Sequence, residues 1–252
     1  MPSVGWRSIC QKAATDDALF RVFKSHSDVT PTLEHVPEEH GIIYLKDARR
    51  ISTDREWLDL LDRLSMASRN DSVGQPGVAE INVAPHVPRV WSPTTLRYVW
   101  VERKLSSLFP DAKTVIEFGG GYGGQCYVSN CFRTYSQWHL IDFPETAALQ
   151  KRYLDTIMPD HRNVLISSLS DFTHNGFPSD VLVSNFALCE VPENEDQAGW
   201  LDMLLSVSKC GFLMCNDRHD HRMIRLLNER GIEGTVELEP SVVHNYVVWW
   251  RR

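Results

Sequence analysis

The sequence predicts an α/β protein: a Rossmann-like, mostly parallel sheet of seven strands with an antiparallel last strand, preceded by a helical cap. Three observations carry this expectation. From residue 114 onward, short apolar runs such as DVLVSNF alternate with helix-period segments, the pattern of strands buried on both faces. One of these runs, VIEF at 115–118, holds an acid, Glu117, and opens into five glycines within six positions, broken only by Tyr122. Finally, VELEP and NYVVWW are joined by so few residues that no crossover fits, so they must be antiparallel neighbours.

A length of 252 residues allows one full domain with a modest appendage. A formal charge of −7 argues against the clustered basic face of a nucleic-acid binder, though not against a small local basic groove. No apolar run approaches the roughly 18–20 residues of a membrane span, and the first twenty residues lack a secretory apolar core. The six cysteines include no CxxC pair, which points to reduced thiols and a cytoplasmic protein.

Taken in order, residues 1 to about 70 read as short helices. Leu19, Phe20 and Phe23 recur at helical spacing behind Asp16 or Asp17, and EWLDLLDRLSMASRN is amphipathic. The stretch 70–93, rich in Pro and Gly, reads as a linker without regular structure of its own, of a length that is commonly functional. The expected division is therefore 1–90, helical cap and linker, and 91–252, the ligand-binding domain. Ser92 caps a helix with Pro93 in its first turn. Strands are expected at 114–118, 137–142, 163–167, 180–185, 211–216, about 233–238 and 245–250. Helices are expected near 123–133, 144–157, 196–207 and 219–230.

Two ligand classes compete for a strand–glycine–helix turn followed by a second acid-ended strand, WHLID, closing at Asp142. A dinucleotide would set its pyrophosphate on the helix N-terminus. S-adenosylmethionine carries no phosphate and is cationic at sulfur, so a carboxylate at the first strand end helps it and would repel a pyrophosphate. Glu117, Gly119, Gly121 and Gly123 match the E-x-G-x-G-x-G spacing, and Asp142 suits the two ribose hydroxyls unless it merely caps the helix beginning near Pro144. The closing antiparallel hairpin also belongs to class I methyltransferases rather than dehydrogenases.

With WSPTTLRY, VIEFGGGYGGQC, LIDFPETAALQKRYL, DVLVSNFALCE, HNYVVWW and the leading FKSH, LEHVPEEHGIIYL and NDSVGQP segments, the chain resembles the sugar O-methyltransferase branch of the class I methyltransferases over nearly its whole length. The resemblance implies methyl transfer to a sugar hydroxyl of a glycan, polysaccharide or glycolipid. It assigns Glu117, Gly119, Gly121 and Asp142 to the cofactor, with Phe143 beside them, and brings Ser168, Leu169 or Ser170 near the adenine. Cys189 stands where the family commonly has serine, and CNDRHDHR is richer in charge and histidine than the family pattern.

An alcohol acceptor calls for a general base or a metal. Glu190, after the fourth strand, is either that base or a structural carboxylate holding loop amides. Asn185 could contact donor or acceptor. His219 and His221 titrate near working pH and suit a base; with Asp217 and Asp220 they could hold a divalent metal, although a solvated cluster capping the next helix is the commoner fate of such a run. His244, Glu34, His35 and His86 are lesser acceptor-side candidates, and Trp91, Trp138, Trp249 and Trp250 could stack on a sugar or lie in the core. A homodimer is compatible with the sequence. The rival readings are a nicotinamide-dependent oxidoreductase and a methyltransferase fold kept as a non-enzymatic binding subunit.

Overall fold

The computed structural model describes residues 5–172, 178–191, 197–216 and 221–252. The N-terminal part is helical, with α1 (Gly5–Ala13), α2 (Asp17–Phe20), α3 (Thr30–Leu33), α4 (Glu38–Arg50) and α5 (Asp54–Ala67). Asp16 caps α2 by accepting from the Leu19 amide at 3.0 Å. The start of α5 is a reciprocal box: the Glu56 carboxylate accepts from the Thr53 amide at 2.8 Å, and the Thr53 hydroxyl from the Glu56 amide. Leu60, Leu61, Leu64 and Ala67, at helical spacing, are its buried face.

The expected structureless linker is corrected in part. Residues 70–93 contain a short antiparallel ladder, β1 (Ala79–Glu80) with β2 (Val90–Trp91), in register Ala79↔Trp91. It forms because Trp91 is fully buried, with its indole N–H donating to the Pro88 carbonyl at 2.6 Å, which anchors the returning limb. Helix α6 (Pro93–Leu108) starts as anticipated, Ser92 Oγ accepting from the Thr94 amide at 3.2 Å.

Then follow β3 (Thr114–Phe118), α7 (Gly124–Phe132), β4 (Gln137–Asp142), α8 (Pro144–Ile157), β5 (Val164–Ser168), β6 (Ser179–Asn185), α9 (Ala187–Glu190), α10 (Gln197–Val207), β7 (Ser208–Cys215), α11 (Arg222–Asn228), β8 (Thr235–Leu238) and β9 (Tyr246–Arg251). Seven of the described strands form one sheet in the order β5-β4-β3-β6-β7-β9-β8. All neighbours from β5 to β7 are parallel, while β9 runs antiparallel to both β7 and β8. This is the expected mostly parallel, Rossmann-like sheet with an antiparallel last strand. A further unforeseen element is α9, a single turn too short to show a period.

The chain divides into two compact units. One comprises Met1–Pro110, Gly121–Thr134 and Phe143–Arg162; the other comprises Asp111–Gly120, Tyr135–Asp142 and Asn163–Arg252 and carries the seven-stranded sheet. Within the second, Ile116, Leu140, Ile141, Leu182, Val183, Phe212 and Val247 have essentially no exposed surface, which explains the unbroken apolar runs. Among the described residues no helix is long and apolar enough to cross a membrane.

Candidate functional site

In the sheet unit, the candidate residues gather at the carboxyl ends of the parallel strands. Register pairs Glu117 with Leu140, so Trp138, two positions earlier on β4, is its diagonal neighbour on the same face. The Trp138 indole N–H donates to Glu117 Oε2 at 2.8 Å, and both side chains are buried. Burial pushes the Glu117 carboxyl up to about 8; the indole N–H works against that rise and the nearby Asp142 adds to it. Among the described residues no cation offsets that burial. Asp142 closes β4, buried, and its main-chain carbonyl accepts from the Leu169 amide at 2.7 Å. At the end of β5, Ser168 Oγ donates to Asp171 Oδ2 at 2.5 Å and meets Ser170 Oγ at 2.8 Å. Glu117, Asp142, Ser168 and Leu169 therefore occupy consecutive strand ends, as their spacing predicts.

Gly119 joins this row through its amide, which donates to the Ile141 carbonyl at 2.8 Å. Its φ is +74°, and a Cβ built on it would lie 2.0 Å from the Ala187 Cβ. Ala187 comes so near because β6 ends in a sharp elbow: Phe186, directly after Asn185, has φ +71°, an uncommon conformation for a bulky residue. The elbow is set by the Phe186 amide donating to the Met214 carbonyl and the Leu188 amide to Ser184 Oγ, each at 3.0 Å. Neither the elbow nor its fit against Gly119 has any periodic signature; the only hint is the bare SNFA after an apolar run.

The glycine turn continues in the helical unit. Gly121 and Gly123 have φ of +56° and +94°, and Gly123 is the left-handed N-cap of α7. The Gly121 carbonyl accepts from Gln150 Nε2 of α8 at 2.8 Å. Phe143, at the N-cap of α8, lies edge-on to Trp6 and 3.3 Å below the Arg7 guanidinium carbon. Asp142 does not provide the α8 cap: that position is Phe143, without a side-chain bond.

On the acceptor side, Glu190 ends α9 and is exposed. Its Oε1 accepts from Asn216 Nδ2 at 2.6 Å, and the thiol of Cys189 donates to Asn216 Oδ1 at 3.4 Å. Arg222 Nη2 donates to the carbonyls of Cys189 and Val191, both at 3.1 Å, so one guanidinium holds the main-chain carbonyls of the residues before and after Glu190. Asn216 and Arg222 escaped the sequence reading because a lone Asn or Arg beside a loop carries no spacing signal. His221, with φ +46° at the N-cap of α11, rests beside the Tyr246 ring at a centroid distance of 5.3 Å. His219, Asp217 and Asp220 lie outside the described residues, and among the described residues no group of three His, Cys, Asp or Glu could hold a metal.

The lesser candidates divide by exposure. Glu34 is buried with both oxygens engaged, Oε1 by the Tyr122 hydroxyl at 2.6 Å and Oε2 by the Ser92 hydroxyl at 3.0 Å. His35 Nε2 accepts from Arg97 Nη1 at 3.1 Å, which leaves Nδ1 to donate to the Thr32 carbonyl. Part of its ring reaches solvent, yet its crowded surroundings and the Arg97 charge hold it down to about 4, so it is neutral at pH 7. His86 and His244 are exposed. Trp91, Trp138 and Trp250 are core residues, and Trp249 is partly exposed with its indole N–H on Glu237.

No family model matches this sequence, and no curated protein matches it. Solved structures resemble it over part of the chain. An O-methyltransferase family protein from Burkholderia thailandensis is 14% identical with a TM-score of 0.46, the match covering 63% of this chain and 60% of that one. The mitomycin 7-O-methyltransferase MmcR is 16% identical with a TM-score of 0.46, covering 62% and 57%. The N-terminal domain of EvdMO1, crystallised in the presence of S-adenosylhomocysteine and D-fucose, is 15% identical with a TM-score of 0.48, covering 60% and 81%. This chain thus covers less than two thirds of the first two structures' own length.

Proposed function

We propose that this chain is an S-adenosylmethionine-dependent O-methyltransferase acting on a sugar hydroxyl, with 1–90 as cap and linker and 91–252 as the methyltransferase domain. The carrying observation is the pairing of Glu117 and Asp142 at adjacent strand ends of a sheet in methyltransferase order. Two buried acids there attract a ligand with an ammonium and a sulfonium and repel a pyrophosphate, which disfavours the nicotinamide-dependent reading. S-adenosylmethionine, when bound, supplies the activated methyl group. Glu117 would meet its ammonium, Asp142 its ribose hydroxyls, Ser168 and Leu169 its base, and the backbone at Gly119, Gly121 and Gly123 would lie close against it. The sugar part of the reading rests on sequence resemblance. Glu190 is the proposed base for the acceptor hydroxyl, with His219 and His221 as further catalytic candidates, while Asn185 and Phe143 are further donor contacts.

The high pKa of Glu117 gives a direct test. Ammonium binding favours the ionised carboxylate, so below about 8 the group must release a proton as the ligand enters. Affinity for S-adenosylhomocysteine should therefore rise with pH, by roughly tenfold per unit up to pH 8. Calorimetry at pH 7 in two buffers of different ionisation heat should register about one proton released per ligand. Glu117→Gln should bind more weakly and release none, and NAD should not bind. Ligand binding with no proton released in the parent protein would remove Glu117 from the ammonium site.

At the acceptor end, a labelled-methyl assay on glycan acceptors should show Glu190→Gln slowed by about 10²–10⁴-fold in kcat with donor affinity kept, the ordinary worth of a general base. Unchanged turnover would return Glu190 to a structural role. A protein that binds S-adenosylhomocysteine but methylates no acceptor would favour the binding-subunit reading.

A further inference from the structure

Tyr122 is the single side chain inside the glycine run, and five segments of the helical unit converge on it. Its ring is fully buried and folds back over Gly124, where an added Cβ would stand 2.6 Å from the ring. Tyr98 of α6, Tyr153 of α8 and Phe23 pack edge-on around it. The Lys24 ammonium lies 4.2 Å from the ring centroid and donates to the Asn70 carbonyl at 2.6 Å. The Tyr122 hydroxyl donates to Glu34 Oε1 at 2.6 Å and accepts from Asn70 Nδ2 at 3.3 Å.

The partners of that hydroxyl are themselves held. Asn70 Nδ2 donates to Thr95 Oγ1 at 2.6 Å, and Asn70 Oδ1 accepts from the Tyr153 hydroxyl. The Thr95 hydroxyl donates to Asp71 Oδ1 at 2.5 Å, and the Ser92 amide donates to Asp71 Oδ2 at 2.8 Å. Ser92 then closes the circuit on Glu34. Each donor in this ring has an acceptor, so displacing any one member strands a buried polar group. Nothing in it is spare for a ligand; its geometric product is the placement of Tyr122, and with it the backbone of Gly121 to Gly124.

We propose that the Tyr122 hydroxyl is a positioning group: held by Glu34 and Asn70, it sets the path of the glycine turn that receives the methyl donor. The proposal rests on the functional reading above and gives residues 24–95 a part in donor affinity. The Tyr122 hydroxyl stays protonated across the physiological range, since burial and the Glu34 charge push its pKa well above 10, so the bond to Glu34 persists.

The test uses the full chain, with S-adenosylhomocysteine as probe well below the unfolding midpoint. Tyr122→Phe keeps the ring and removes one bond; its Kd should rise about tenfold, the worth of one buried hydrogen bond. Glu34→Ala should do the same, the double variant should lose little more, and Glu34→Gln, which keeps an acceptor oxygen, should recover most of the affinity. Hydrogen exchange in the free protein should accelerate at the Gly121–Gly124 amides in Tyr122→Phe and Glu34→Ala. As control, Tyr127→Phe removes another buried hydroxyl of this unit, the one that donates to the Met66 carbonyl at 2.7 Å; it should lower the melting midpoint and leave Kd and loop exchange alone. Variants that melt earlier yet bind as the parent does, with unchanged loop exchange, overturn the proposal. A parent protein that binds no S-adenosylhomocysteine sinks the functional reading separately; loop exchange alone then decides for or against positioning.

Discussion

Gly119→Ala should abolish measurable donor binding and destabilise the fold by several kcal/mol. The alanine would have to adopt φ +74°, which costs an L-residue about 1–2 kcal/mol. Its methyl would also stand 2.0 Å from the Ala187 Cβ, and forcing an extra methyl into a packed site costs about 1–3 kcal/mol more. Relief by movement is restricted, because the Gly119 amide is tied to Ile141 and the Phe186 elbow is tied to Met214. The compensating change is Ala187→Gly, after which the new methyl meets the residue-187 Cα at 3.5 Å, an ordinary contact. Urea unfolding of the four proteins in this cycle should show a favourable coupling of about 1–3 kcal/mol, with part of the donor binding restored. Additive losses would mean that Ala187 is not the obstacle.

Lys24→Met should be nearly as damaging, and in a pH-dependent way. Lys24 has no exposed surface, and its positive charge sits among Glu34, Asp71 and the faces of Tyr122 and Tyr153. Removing one partner of a buried charge cluster costs about 3–5 kcal/mol, because the remaining charges are left without compensation. Burial lowers the Lys24 pKa to about 8, with Glu34 and Asp71 opposing that fall, so it is still charged at pH 7. Burial raises Asp71 to about 6 against its hydrogen bonds from Thr95 and Ser92.

The signs then follow from proton counting. Between pH 3.8 and 6 the native state holds more protons at Asp71 than the unfolded chain, so that group's contribution falls as pH rises through the window. The same holds for Glu117 between 4.5 and 8. Between 8 and 10.5 the unfolded chain holds more protons at Lys24, so stability rises with pH there. In Lys24→Met that alkaline rise should vanish, and Asp71, deprived of its cation, should titrate higher still. The variant should accordingly be least handicapped at pH 5 and most at pH 9. Urea unfolding at pH 5, 7 and 9 checks this; a constant difference from the parent at all three would show that the Lys24 charge contributes nothing.

Much of the sheet was legible because its signals are local. Strand boundaries at 114–118 and 137–142 agree with the structure, and 163–167, 180–185 and 245–250 are displaced by a single residue at one or both ends. Ser92 and Pro93 start α6 where capping chemistry places them. The short VELEP–NYVVWW link required an antiparallel pair, and β8 pairs with β9 in that sense, Glu237 opposite Val247. By contrast, Glu34 was visible only as an acid between two prolines, a candidate for sugar hydroxyls. In the fold it is consumed by Tyr122 and Ser92. NDSVGQP was visible as a loop motif, yet nothing in it announced that Asn70 would bridge three side chains from α6, α8 and the glycine turn.

The division has one physical origin. Hydrophobic period, turn chemistry and loop length act over a few residues, so composition along the chain sufficed for the strand–helix alternation, the glycine turn with its acids and the reversed final strand. Packing alone decided that Tyr122 meets a carboxylate 88 positions away, that Glu117 lies against Trp138 with its proton retained, and that Asn216 holds Glu190. Those are single polar contacts between distant segments, whose energy depends on burial that exists only after the chain has folded.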